Sequence, residues 1–142
     1  MSPPERHVVI VPCSGIGKTY GTVSREAAYE VTEDRRPGAA GLVALSLLVL
    51  GDEGARAAVR AYPAVTIDGC KLACAEKMVR ESGGRVAQGI AVLDVYRRNR
   101  GLKPQGIAEL NEGGRLLAHA VAAEISAIVD DLASDEEVPE NA

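Results

Sequence analysis

Val65-Thr66-Ile67-Asp68-Gly69-Cys70-Lys71-Leu72-Ala73-Cys74 is the stretch whose reading decides the fold. The apolar run from Ala64 to Ile67, opened by Pro63, predicts a buried strand. Asp68-Gly69 breaks it, because glycine adopts backbone angles closed to other residues. From Cys70 the spacing turns helical: Cys74 and Met78, then Ala75 and Val79, stand four residues apart, and Gly83-Gly84 supplies a stop. Two thiols then share the first turn of a helix that follows a strand. Unsatisfied N–H groups and the positive dipole end of such a turn favour thiolate over thiol. Thiolate is the form that binds metal or attacks an electrophile.

Upstream, Val8-Val9-Ile10-Val11 within His7 to Val11 is the continuous apolar run of a strand covered on both faces. A glycine-containing loop, Pro12 to Thr19, leads into a helix with Val23, Ala27 and Val31 on one stripe, capped by Thr22 or Ser24. Pro37-Gly38 closes that unit. The run Ala39 to Leu50 carries two signals. Its Ala and Leu content favours helix, but its place in the alternation predicts a strand at about Leu42 to Leu45. Asp52 is the N-cap of a helix running through Tyr62.

Downstream, a strand is expected from Val86 to about Leu93, then a polar, solvated loop holding Arg97, Arg98 and Arg100. From Asn111 the chain predicts one long amphipathic helix with Leu117, Val121, Ile125, Ile128 and Leu132 as its buried stripe. Residues 1–6 read as a flexible tail, 7–133 as one domain, and 134–142 as a disordered acidic tail.

Strands alternating with helices predict a single α/β domain in three layers. The sheet should be mainly parallel, of about four strands, with right-handed crossovers and a long C-terminal helix. Such sheets take ligands outside the carboxyl ends of their strands. Cys13 follows the first strand, Cys70 follows the central one, and Cys74 lies on the next turn. All three cysteines therefore converge on one sheet edge.

Composition narrows the partners. A net charge of −4, with no Trp or Phe and only four Tyr, argues against a phosphate backbone or stacked bases, so no nucleic acid is expected. No apolar run is long enough to span a bilayer. Three cysteines cannot all pair within one chain, and Met1-Ser-Pro-Pro-Glu-Arg lacks a secretory pattern, so a reducing, cytoplasmic setting is expected.

With Cys13-Ser14-Gly15, Lys18 and Asp68-Gly69-Cys70-x-x-x-Cys74-Ala75 in place, the chain resembles the DGC-domain family over about His7 to Leu132. These are small prokaryotic proteins named for the Asp-Gly-Cys tripeptide. The resemblance implies zinc, bound through chelating cysteines, and implies no particular reaction. The family's pattern has four such cysteines and this chain has three. The resemblance puts the fourth in the run before Gly51-Asp52, where this chain carries Ser46.

The residues themselves leave several chemistries open. As metal ligands, Cys13, Cys70 and Cys74 suit zinc, with Asp68 or Ser46 as a fourth ligand or supporting group. An iron–sulfur cluster with one non-cysteine ligand is the second metal reading. A thiol-based redox or sulfur-transfer protein would use Cys70 as nucleophile and Cys13 or Cys74 as its resolving partner. The bland alternative is that the cysteines are small buried hydrophobes.

Ser14, Gly15, Gly17, Lys18 and Thr19 could instead hold an anion or nucleotide, since Gly15 to Thr19 lies between a strand and a helix. A phosphate-binding loop needs a glycine where this chain has Pro12, which has no N–H to donate. A small anion therefore fits that loop better than ATP. Lys18 also offers a positive charge to a neighbouring thiolate. His7, at the opposite end of the first strand, and His119, off the buried stripe, are not expected to be ligands.

Overall fold

A computed structural model of the chain describes residues 7–14, 18–69 and 73–137, with side chains through 133. The first apolar run forms β1 (Val8–Pro12), whose side chains leave the sheet alternately. Val8 and Ile10 enter one apolar layer, and Val9 and Val11 enter the other. β3 (Ala64–Asp68) is buried at all five positions and divides its side chains in the same way. The shorter β2 (Ala40–Leu42) and the half-exposed β4 (Val86–Ala91) flank them.

The order is β2-β1-β3-β4, and every neighbouring pair is parallel. One face is covered by α1 (Thr19–Tyr29), α5 (Val92–Arg97) and α6 (Glu112–Glu137). The other is covered by α2 (Leu45–Leu50), α3 (Glu53–Ala61) and α4 (Cys74–Glu81). The chain leaves β1 towards β2 and later returns past β1 to β3. The strand order therefore reverses between β1 and β3, where parallel sheets open a crevice for ligands. This is the three-layer α/β architecture that the alternation of elements predicts.

Several boundaries differ from the expectation, each for a local reason. α1 starts at Thr19 behind Lys18, with no side-chain cap, so Thr22 and Ser24 lie inside the helix. There Ser24 donates to the Gly21 carbonyl at 2.7 Å. The helix runs on as a π-helical turn, Glu30–Arg35, which keeps Val31 buried. The run at 39–50 holds both a strand and a helix, but the strand expected at about Leu42 to Leu45 lies earlier, at Ala40–Leu42. A helix begins at Leu45, where Leu45 and Leu48 reach the core at helical spacing. Gly51, at a φ of 79°, ends α2 in the left-handed conformation that glycine adopts without strain.

β4 stops at Ala91 rather than near Leu93, because Val92 and Val95 turn into the apolar layer as α5. The expected stripe of α6 is present. Leu117, Val121 and Ile125 are fully buried, Ile128 and Leu132 are partly buried, and Val129 joins them. Asn111 caps α6 by accepting from the Gly114 N–H at 2.7 Å. α6 continues to Glu137, into the stretch read as a tail, and 138–142 lie outside the described residues.

Asp52 is the N-cap foreseen for α3 and accepts from the Ala55 N–H at 2.9 Å. Asp52→Ala is expected to cost about 1 kcal/mol, read as a lower urea midpoint at unchanged slope. An unmoved midpoint would mean that the cap adds nothing.

Candidate functional site

The site grows out of the register between the two central strands. Their last paired residues are Pro12 and Ile67, and the Cys13 N–H donates to the Ile67 carbonyl at 2.7 Å. Carried one step further, that register sets Cys13 level with Asp68. Gly69 then passes so close to α1 that a Cβ there would stand 3.1 Å from the Tyr20 carbonyl carbon and the Gly21 nitrogen. The chain leaving β3 is thus pressed against the first turn of the helix that follows the β1 loop.

The backbone at Cys13 and Ser14 is clamped from α1. Ser24 Oγ donates to the Cys13 carbonyl at 3.2 Å, and Arg25 Nη1 donates to the Ser14 carbonyl. Arg25 Nη2 also donates to Thr22 Oγ1 at 3.2 Å, and that hydroxyl donates to the Ile107 carbonyl. The sequence reading missed Ser24 and Arg25 in this role. The only available signal was their position on the turn of α1 that faces the loop.

On the other side of the crevice, helix α4 begins at Cys74 and not at Cys70 as the spacing suggested. Its entry residue, Ala73, is left-handed at a φ of 53°. The cap comes from Asp68, which accepts from the Ala75 N–H at 2.8 Å and from the Glu76 N–H at 3.4 Å. An N-cap normally lies two or three residues before the N–H it satisfies. Here it lies seven and eight residues before, so no local pattern could have marked the boundary. Cys74, rather than Cys70, occupies the first turn of α4, and it is exposed.

Burial pushes the Asp68 carboxyl above its ordinary value, against the two N–H bonds that pull it down; nearby Glu76 raises it and Lys77 lowers it. A carboxyl whose folded pKa is raised holds its proton longer in the native state than in the unfolded chain. Its contribution to stability therefore falls as pH rises from about 3.8 through the raised value, then levels off.

Cys13 is buried, and it lines a cavity of about 380 Å³ together with Ser46, Arg25 and Tyr29. The cavity brings together Cys13 and the position that the resemblance singled out. Asp68 is held apart from it as the α4 cap. Cys70, Gly15 and Gly17 lie outside the described residues. Among the described residues, no three His, Cys, Asp or Glu side chains gather closely enough to hold a metal ion.

Of the remaining anion-loop positions, Lys18 is exposed at the cap of α1 and Thr19 is its first residue. His7 stacks edge-on against Tyr62 at 4.7 Å, at the far end of β1. His119 meets the Glu30 carboxylate beside a second cavity of about 400 Å³, which shares Tyr29 with the Cys13 cavity and is lined by neither Cys13 nor Cys74. Arg97 and Arg98 pair with Asp94 and Glu124 on the surface, as solvated arginines do.

Among the described residues, no helix is long and apolar enough to cross a membrane. The family model described as DGC domain matches residues 9–113. No curated protein and no solved structure matches the chain.

Proposed function

The chain belongs to the DGC-domain family, and from that premise we propose that it is a small metal-binding protein holding zinc through Cys13, Cys70 and Cys74. The observation that carries this reading is the β1–β3 register, which sets Cys13 beside Asp68, two residues before Cys70, where the strand order reverses. Thiolates are soft donors suited to zinc. Ser46, on the wall of the Cys13 cavity, is the candidate fourth ligand. Asp68 fits a supporting role better than a ligand's, because both its oxygens already accept N–H bonds from α4. By fixing the start of α4 it sets where Cys74 stands relative to the strand end.

Zinc bound there would cross-link the two loops of the crevice, and with three strong ligands it would keep an exchangeable fourth position. A reducing cytoplasm is the compartment in which thiolate ligands persist. One observation favours a second reading, thiol-based redox or sulfur-transfer chemistry: Cys74 is exposed on the first turn of α4, open to a reactant from solvent.

Anaerobic purification, elemental analysis and an absorption spectrum test the assignment. The expected result is a colourless protein with about one zinc per chain. A brown protein absorbing in the visible would replace zinc by an iron–sulfur cluster. A metal-free protein with one rapidly alkylated cysteine would put the thiol reading first.

A further inference from the structure

The cavity beside Cys13 has a composition that the metal does not account for. Its walls are largely apolar, built by Pro12, Leu42 and Leu45, and among the described residues the one charged side chain lining it is Arg25. Among the described residues Arg25 has no carboxylate partner. Its two hydrogen bonds go to neutral oxygens, the Ser14 carbonyl and the Thr22 hydroxyl. Arg35, Arg36, Arg80, Arg97 and Arg98 each pair with a carboxylate, whereas Arg60 and Arg115, like Arg25, donate to carbonyl oxygens; of these three only Arg25 lines this hollow. A guanidinium has five N–H donors in a planar fork, so three remain after those two bonds. A permanent cation facing an apolar hollow, with donors to spare, is the arrangement that recognises an anion.

We propose that this cavity binds a small monocarboxylate with a short apolar body, its acid group held by Arg25 and its apolar end against Pro12, Leu42 and Leu45. Size, charge and position support that class. A hollow of about 380 Å³ lies within the range of small-molecule sites. One guanidinium balances one carboxylate, whereas a phosphate would leave a second charge uncompensated against apolar walls. The cavity also opens at the carboxyl ends of β1 and β2, the edge where parallel sheets bind ligands. The Tyr29 and Ser46 side chains line the same hollow and add two hydroxyls. The inference needs only Arg25 and the apolar walls. Because Cys13 and Ser46 line the same hollow, carboxylate affinity is read on the chelator-treated chain as well as the loaded one, which separates its failure from that of the zinc assignment.

The test is titration of the full chain, zinc-loaded and after chelator treatment, with isovalerate, benzoate, isoamylamine and inorganic phosphate, followed by calorimetry and thermal melting. Isovalerate and benzoate should bind and raise the melting temperature, whereas isoamylamine, the same apolar body with the opposite charge, should not. Arg25→Gln should weaken isovalerate at least about tenfold, the cost of losing a charge-assisted pair. Because Arg25 also clamps the Ser14 carbonyl, Leu42→Glu is the second variant. It sets a competing carboxylate on the cavity wall from a partly exposed position on β2 and should weaken binding by a similar factor with the melting temperature of the unliganded protein little changed. The proposal is overturned if neither carboxylate binds, if the amine binds as well, if phosphate binds more tightly, or if a folded Arg25→Gln or Leu42→Glu protein keeps wild-type affinity.

Discussion

Cys13→Ser and Cys70→Ser are each expected to strip the protein of zinc, and Ser46→Cys to tighten its hold. Four-ligand structural zinc in small peptides is bound by roughly 10–16 kcal/mol at neutral pH, so one thiolate is worth on the order of 3 kcal/mol, a factor of about 100 in affinity. A serine hydroxyl keeps its proton where a thiol ionises and is a far weaker donor. The native chain already carries that weaker group at Ser46, so its zinc should be labile to a mild chelator. The apolar layers on both faces of the sheet should keep the stripped protein folded.

At Cys13 the substitution leaves the backbone in place, because the Ile67 carbonyl takes the residue's N–H and Ser24 holds its carbonyl. Metal-competition titration reads all three variants. If Ser46→Cys changes nothing while the other two abolish binding, position 46 is not a ligand. If none of the three alters metal content, the cysteines are not ligands at all, and thiol chemistry takes first place.

Gly69→Ala is expected to lower stability by about 1–3 kcal/mol, with Gly69→Val losing more, the range for forcing atoms into a close-packed interior. The new Cβ would stand 3.1 Å from two backbone atoms at Tyr20 and Gly21. Those atoms belong to the first turn of α1 and cannot swing aside as a side chain would. Relief requires moving the helix, whose Val23 and Ala27 are completely buried, or moving the end of β3. In a domain of this size the loss should appear as a drop of several degrees in melting temperature. Zinc affinity should fall with it, because Gly69 directly precedes Cys70, a proposed ligand. A Gly69→Ala protein that melts like the wild type would show that the loop and α1 have room between them. Asp68→Ala separates the two effects. It leaves the close approach intact and removes the acceptor of the Ala75 and Glu76 N–H groups, so it should loosen the start of α4 alone.

Features that repeat along the chain were legible from its residues alone. Val8 to Val11 and Ala64 to Ile67 announced two buried strands. The stripe from Leu117 to Leu132 announced a long helix, and the alternation of elements implied the parallel sheet that pairs β1 with β3. Periodic burial is a local property, so it is legible locally. The Asp-Gly-Cys tripeptide and its companion cysteines carried the family in the same way, as short motifs at fixed spacing.

Features that join residues far apart in the chain emerged only on folding. Cys70 to Met78 reads as one helical run, but α4 starts at Cys74, because Asp68 offers its carboxylate to N–H groups seven and eight residues away. The run at 39–50 could not be divided until the neighbouring strand was known. Val43 still donates to the Ile10 carbonyl, and α2 begins only two residues later. Ser46 was marked only by the family resemblance, and its place beside Cys13 came from the parallel sheet that brings α2 to the wall of that cavity. Arg25 carried no signal in the sequence, and its role comes from the Ser14 carbonyl to which it donates. Each of these depends on a partner supplied by another segment, and folding is what brings those segments together.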